Sequence, residues 1–140
     1  MAAAALAVLV VDDDDAIRDA IHFALRHTGY PVQEATNGVQ ALSLLRAAEA
    51  PLVVLLDVRM PKMSGVEVLE TVAQDPRLAR RHAYVLVTAD DRTLPLAFAT
   101  LLRELGVPVL AKPFDVATLV AIVTERAASI SARGESPTNQ

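Results

Sequence analysis

The chain has 140 residues, 53% of them apolar and 21% charged, and it contains no cysteine. That is one domain's length with enough apolar sequence for a core, which excludes a disordered chain, a disulfide framework and any thiolate metal site. The formal charge of −4 equals the run Asp12, Asp13, Asp14 and Asp15, and the basic residues are scattered, so no nucleic-acid partner is expected.

Met1 to Val11 is apolar, lacks a basic residue ahead of it and runs into the four aspartates, so it reads as a leading strand and not as a secretion signal. Within it, Leu6 to Val11 is a short aliphatic strand that delivers carboxylates at its tip. From Ala16 onward Ile17, Ala20, Ile21, Ala24 and Leu25 recur at spacings of three and four, with an aspartate at 14 or 15 as cap and Gly29 closing the helix. Pro31 to Ala35 predicts a second strand, Asn37-Gly38 a turn, and Val39, Leu42 and Leu45 a second helix ending near Glu49. The third strand, Leu52 to Leu56, stops at Asp57. No apolar stretch approaches the roughly 20 residues that span a bilayer, so no membrane partner is expected and the cytoplasm is the expected location.

After a loop holding Met60-Pro61 and Gly65, the positions Val66, Val68, Leu69 and Val72 predict a third helix that runs out before Asp75-Pro76. The close basic cluster Arg77, Arg80 and Arg81 reads as a solvated helix end or loop. Ala83 to Val87 is the fourth strand, ending at Thr88, and Leu94, Phe98, Leu101, Leu102 and Leu105 mark a fourth helix over 91–105, with Pro95 near its first turn and Gly106 after its end. Val107 to Ala111 is the fifth strand, ending at Lys112-Pro113, and Val116, Leu119, Val120, Ile122, Val123 and Ala127 mark a fifth helix over 115–130. One domain over residues 1–130 and a disordered tail over 131–140 are expected, because the tail has little to bury. His22, His27 and His82 have no mutual metal-ligand spacing and read as surface or helix-flank residues.

Strand and helix in strict alternation predict a doubly wound α/β fold, a five-stranded parallel sheet with helices on both faces. Ligands of such sheets bind beyond the carboxyl ends of the strands, and four of the five ends carry a reactive group: Asp12-Asp13, Asp57, Thr88 and Lys112. If the strands lie in the order 2-1-3-4-5, the first and third are neighbours about 4.8 Å apart, and Lys112 stands about 10 Å from Asp57 between backbones, within reach of its side chain. Carboxylates converging at about 4 Å repel by about 4 kcal/mol per pair at an effective dielectric of 20, which invites a cation. All-oxygen ligation selects a hard ion, Mg²⁺, with Mn²⁺ as substitute. Such an ion beside a carboxylate, a lysine and a hydroxyl suits phosphoryl transfer, with one carboxylate as nucleophile. Asp14 and Asp15 read as helix cap and first-turn acid.

Val10-Val11-Asp12-Asp13-Asp14, Asp57-Val58-Arg59-Met60-Pro61-Lys62-Met63-Ser64-Gly65, Thr88-Ala89 and Lys112-Pro113-Phe114 resemble the receiver domain of two-component response regulators, here in a stand-alone, single-domain form. The likeness runs from about Leu6 to Ile130. It implies the flavodoxin-like strand order 2-1-3-4-5 and phosphorylation of Asp57 by the phosphohistidine of a sensor histidine kinase or histidine phosphotransfer protein. It also implies that Asp13, Asp57 and the backbone carbonyl of Arg59 bind Mg²⁺, with Asp12 acting through water. By the same resemblance Lys112 is expected to pair with Asp57 and then with a phosphoryl oxygen, and the Thr88 hydroxyl and the Ala89 amide to donate to others. The Lys112-Pro113 peptide is expected to be cis.

Two departures from the family pattern stand out. Val109 occupies the place, three before the lysine, where an aromatic switch usually sits, and Pro95 falls in the fourth helix. A response of the face formed by the fourth helix, fifth strand and fifth helix is therefore expected through backbone or helix movement, and a homodimer through that face is a further expectation. Arg59 and Asp90 flank the path of hydrolytic water in this family and are expected to modulate dephosphorylation. With ten residues after Ile130, output is expected through another protein. The chain is not expected to be a turnover enzyme beyond its own phosphorylation and dephosphorylation. A receiver that works by protein interaction without phosphate turnover is the alternative. A magnesium phosphatase is disfavoured because Asp57 sits on the third strand, and a flavin protein because no Ser/Thr/Gly-rich loop follows the first.

Overall fold

The computed structural model describes residues 6–89 and 94–135. In chain order the elements are β1 (Ala7–Val11), α1 (Asp15–Leu25), β2 (Val32–Ala35), α2 (Gly38–Ala47), β3 (Leu52–Asp57), α3 (Gly65–Ala73), α4 (Pro76–Arg81), β4 (Ala83–Thr88), α5 (Leu96–Leu105), β5 (Val109–Ala111) and α6 (Val116–Glu135). The strands form one five-stranded sheet in the order β2-β1-β3-β4-β5, every pair parallel.

Side chains of a strand alternate between faces, and each face here builds its own core. Leu9, Val11, Val54, Leu56 and Leu86 pack with Leu42 and Leu45 of α2, Leu69 and Val72 of α3 and Phe98 and Leu102 of α5. Val8, Val10, Val53, Leu55 and Val85 pack with Ile21 and Leu25 of α1 and Leu119, Val123 and Ile130 of α6. The central strands are buried throughout, so their polar residues appear only where the strands end.

The caps follow the local chemistry. The Asp14 carboxylate accepts from the amides of Ala16 and Ile17 at the start of α1, and Asp15 opens the first turn. Gly106 ends α5 in the left-handed region, with φ of 68°. Gly29, by contrast, lies past the end of α1, which stops at Leu25 and continues into a turn where the Thr28 hydroxyl donates to the Leu25 carbonyl.

Three expectations are corrected. Asp75-Pro76 does more than end a helix: the Asp75 carboxylate caps α4 and Pro76 supplies its first residue, so Arg77, Arg80 and Arg81 are helical. Six residues with one buried leucine, Leu78, are too few to show a helical period. The last helix continues to Glu135, past Ile130, because Ile130 is buried and the Arg133 guanidinium donates to the carbonyls of Arg80 and His82. Residues 136–140 and 1–5 lie outside the described residues. His82 is a core residue, 1% exposed, whereas His22 and His27 are at the surface.

Candidate functional site

β1 and β3 are paired neighbours, Val11 opposite Leu56, so the residues that follow leave the sheet side by side. Asp12 and Asp57 are buried, at 3% and 7% exposure, while Asp13 is exposed. Carboxylate oxygens of Asp12, Asp13 and Asp57 lie within 4.8 Å of one another. Lys112, at the end of β5, reaches across β4 and places its Nζ 3.1 Å from Asp57 Oδ1 and 3.2 Å from Asp12 Oδ2. The other Asp12 oxygen accepts from the Asp14 amide at 2.9 Å, so both oxygens of that carboxylate are engaged.

The loop after β3 is pressed against Asp57. The Gly65 amide donates to the Val58 carbonyl, and a Cβ on Gly65 would stand 2.3 Å from the Asp57 carbonyl oxygen. Any side chain there would displace the backbone that carries Asp57.

Burial raises the pKa of Asp57; the Lys112 hydrogen bond opposes this and the Asp12 charge adds to it. For Lys112 burial works downward, but the hydrogen bond and charge of Asp57, together with Asp12, outweigh it and hold the ammonium protonated. Three carboxylates against one ammonium leave an excess of negative charge in a partly dry site. The donor set is entirely oxygen, and its convergence fits a hard divalent cation, not a soft one.

Of the other residues expected here, Thr88 ends β4, is buried, and its carbonyl accepts from the Lys112 amide at 2.8 Å. Ala89 follows it at the surface, and Arg59 is exposed two residues beyond Asp57. The Lys112-Pro113 peptide is cis. Val109 is half-buried in the first residue of β5 and packs against the core that holds α5. Asp90 lies outside the described residues. A cleft of about 580 Å³ lies elsewhere, between α2 and α4, lined by Leu45, Ala48, Leu78 and Arg81 among others.

One residue at the site escapes sequence reasoning. Arg18 of α1 is buried and its guanidinium donates to the Asp12 carbonyl at 2.7 Å, to Glu34 at 3.0 Å and to Asp15. It occupies a place in the helical pattern where a buried apolar residue would read naturally. The available signal was a single cation six residues after the first acid of the cluster.

A doubly wound parallel sheet with acids at the tips of β1 and β3, a threonine at β4 and a lysine after β5 defines a receiver-type signalling domain. A sequence model of the response regulator receiver domain matches residues 8–124, and the chain belongs to that family. Among curated relatives, the response regulator MprA of Mycobacterium sp. (strain KMS) is 48% identical over 61 residues, 44% of this chain and 26% of that protein. The matched segment thus spans about a quarter of the length of these relatives. A CheY-like response regulator receiver domain protein from Methanospirillum hungatei JF-1 superposes with a TM-score of 0.78 at 28% identity, covering 91% of this chain and 98% of that one. The chemotaxis protein CheY4 of Vibrio cholerae gives 0.71 at 28% identity, covering 89% and 99%. Among the described residues no helix is long and apolar enough to cross a membrane.

Proposed function

We propose that the chain accepts a phosphoryl group from the phosphohistidine of a sensor histidine kinase or phosphotransfer protein onto Asp57. The observation that carries this is the position of Lys112 Nζ, 3.1 Å from Asp57 and 3.2 Å from Asp12, with Asp13 converging on the same point. A free Asp57 oxygen forms the new O–P bond while the P–N bond breaks and its electron pair leaves with the imidazole. Lys112 stays protonated and moves from the carboxylate to a phosphoryl oxygen, offsetting charge where it builds up. The Thr88 hydroxyl and the Ala89 amide stand at the end of the neighbouring strand to take other phosphoryl oxygens.

Asp13, Asp57 and the Arg59 carbonyl would hold Mg²⁺, or Mn²⁺ in its place, which would supply charge neutralisation at the transferred group. Asp12 has both oxygens engaged, which supports a role for it through water. The response then passes to α5, β5 and α6, the face available to an output protein or a second copy, with Val109 in place of an aromatic switch. The domain works in the cytoplasm alongside its phosphodonor.

Incubation with a small phosphodonor such as phosphoramidate and Mg²⁺, followed by intact-mass measurement, tests the reading. The native chain is expected to gain one phosphoryl group and Asp57→Asn none. A native chain that gains none favours an interaction module without phosphate turnover.

A further inference from the structure

Asp13 differs from its two partners in the acidic cluster. Asp12 is held by its side chain at Lys112 and the Asp14 amide, and Asp57 by Lys112 and the loop packed on it through Gly65. The Asp13 side chain is exposed and makes no hydrogen bond or ion pair among the described residues, so its direction is set by its backbone.

That backbone has one external clamp. The Asp12 amide still belongs to the sheet, donating to the Ala35 carbonyl at 3.1 Å, but beyond it the chain leaves β1. The next peptide, carrying the Asp12 carbonyl and the Asp13 amide, is gripped by Arg18 Nη1 at 2.7 Å. Arg18 is itself fixed from two sides, by Glu34 Oε1 of β2 at 3.0 Å and by Asp15 at the start of α1. A planar guanidinium that satisfies three acceptors, one on the segment after β1, one on β2 and one on its own helix, has little freedom left.

We propose that Arg18 is a positioning residue: it holds the Asp12–Asp13 peptide plane and so aims the Asp13 carboxylate at the cation site. The inference rests on the receiver reading above and goes beyond it, because Arg18 touches neither the cation nor the phosphoryl group. Mg²⁺ demands near-ideal octahedral geometry, so a tilt of this plane lowers affinity before it alters the nucleophile.

Titration calorimetry of Mg²⁺ into the native chain, Arg18→Met, Arg18→Lys and Glu34→Gln is the test, with folding followed by circular dichroism. Arg18→Met is expected to weaken Mg²⁺ binding by about 10-fold to 100-fold, the usual range for losing a partner that orients a ligand. Glu34→Gln, which keeps an oxygen acceptor but removes the charge that anchors the guanidinium on the side away from Asp12, gives a smaller loss in the same direction. Phosphorylation of Arg18→Met needs more Mg²⁺ for half its rate but approaches the native limiting rate at saturation. Arg18→Lys keeps the charge but cannot hold Asp12 and Glu34 together, so it stays weaker than native. Native affinity in the lysine variant would mean that field and not geometry matters, and would overturn the clamp. Unchanged affinity in folded Arg18→Met overturns it as well, and if that variant does not fold, unchanged affinity in Glu34→Gln does so. A native chain that binds no Mg²⁺ overturns the receiver reading along with the clamp, whereas native binding with unaltered variants overturns the clamp alone.

Discussion

At the carboxyl ends of β1 and β3, three carboxylates converge and two of them, Asp12 and Asp57, share one ammonium, whereas near the amino ends of β3 and β4 the buried imidazole of His82 has a partner for each ring nitrogen. His82 Nδ1 accepts from the Leu52 amide at 2.9 Å, which leaves Nε2–H to donate to the Leu45 carbonyl at 3.1 Å. Beside it the buried Tyr84 hydroxyl donates to the Leu78 carbonyl, its ring standing edge-on to the imidazole. Both ends bury polar groups in one sheet, yet at the lower, amino-terminal end His82 and Tyr84 are fully paired, while at the upper, carboxyl-terminal end the carboxylates outnumber the ammonium. A buried polar group that is fully paired ties elements together, and a buried charge excess is a cost that a cation or a phosphoryl group can relieve.

If that contrast holds, substitutions at the two ends move stability in opposite directions. The largest effect is expected at the lower end: His82→Ala strands the Leu52 amide and the Leu45 carbonyl and opens a cavity, lowering unfolding free energy by about 3–5 kcal/mol. Urea denaturation measures it, and a loss of only a few tenths would refute the structural role of the imidazole. At the upper end Asp57→Asn is expected to stabilise the metal-free protein by about 0.5–2 kcal/mol, as relief of functional-site charge commonly does. Added Mg²⁺ should close that gap by stabilising the native chain alone.

The smallest effect is the pH response. Burial lowers the pKa of His82, so between its folded value and the ordinary value of about 6.5 the unfolded chain binds the extra proton. Stability from this residue is therefore intact above about pH 6.5 and falls as the pH drops below it, by at most about 1.4 kcal/mol per pH unit. Asp57 has the opposite sign: its raised pKa means that the folded chain holds the proton more tightly, so its contribution becomes more favourable as pH falls through the raised folded value toward the ordinary carboxylate value. Thermal melts between pH 5 and 8 should show the acid loss in the native chain (roughly the window of histidine titration) and a flatter profile in His82→Gln.

Much of this protein was legible without coordinates. The runs Leu6 to Val11, Leu52 to Leu56 and Ala83 to Val87 are apolar enough to be buried strands, and each ends at a residue of the site. What their tips share follows from parallel winding, which puts every carboxyl end on one edge. Elements whose order depends on few residues were harder: α4 shows itself only as a cap and a proline, and the last turn of α6 is tied down by Arg133 across to the end of α4.

The amino-acid sequence by itself determined the alternation of elements, the sheet's polarity and the identity of Asp12, Asp13, Asp57, Thr88 and Lys112 as strand-end groups. Only the tertiary structure decided that Lys112 bridges Asp12 as well as Asp57, that Arg18 holds the Asp12 carbonyl, and that His82 is a core residue joining Leu45 to Leu52. The physical reason is that hydrophobic periodicity records which face is buried, while the partner of a polar group is chosen by strands and helices far apart in the chain.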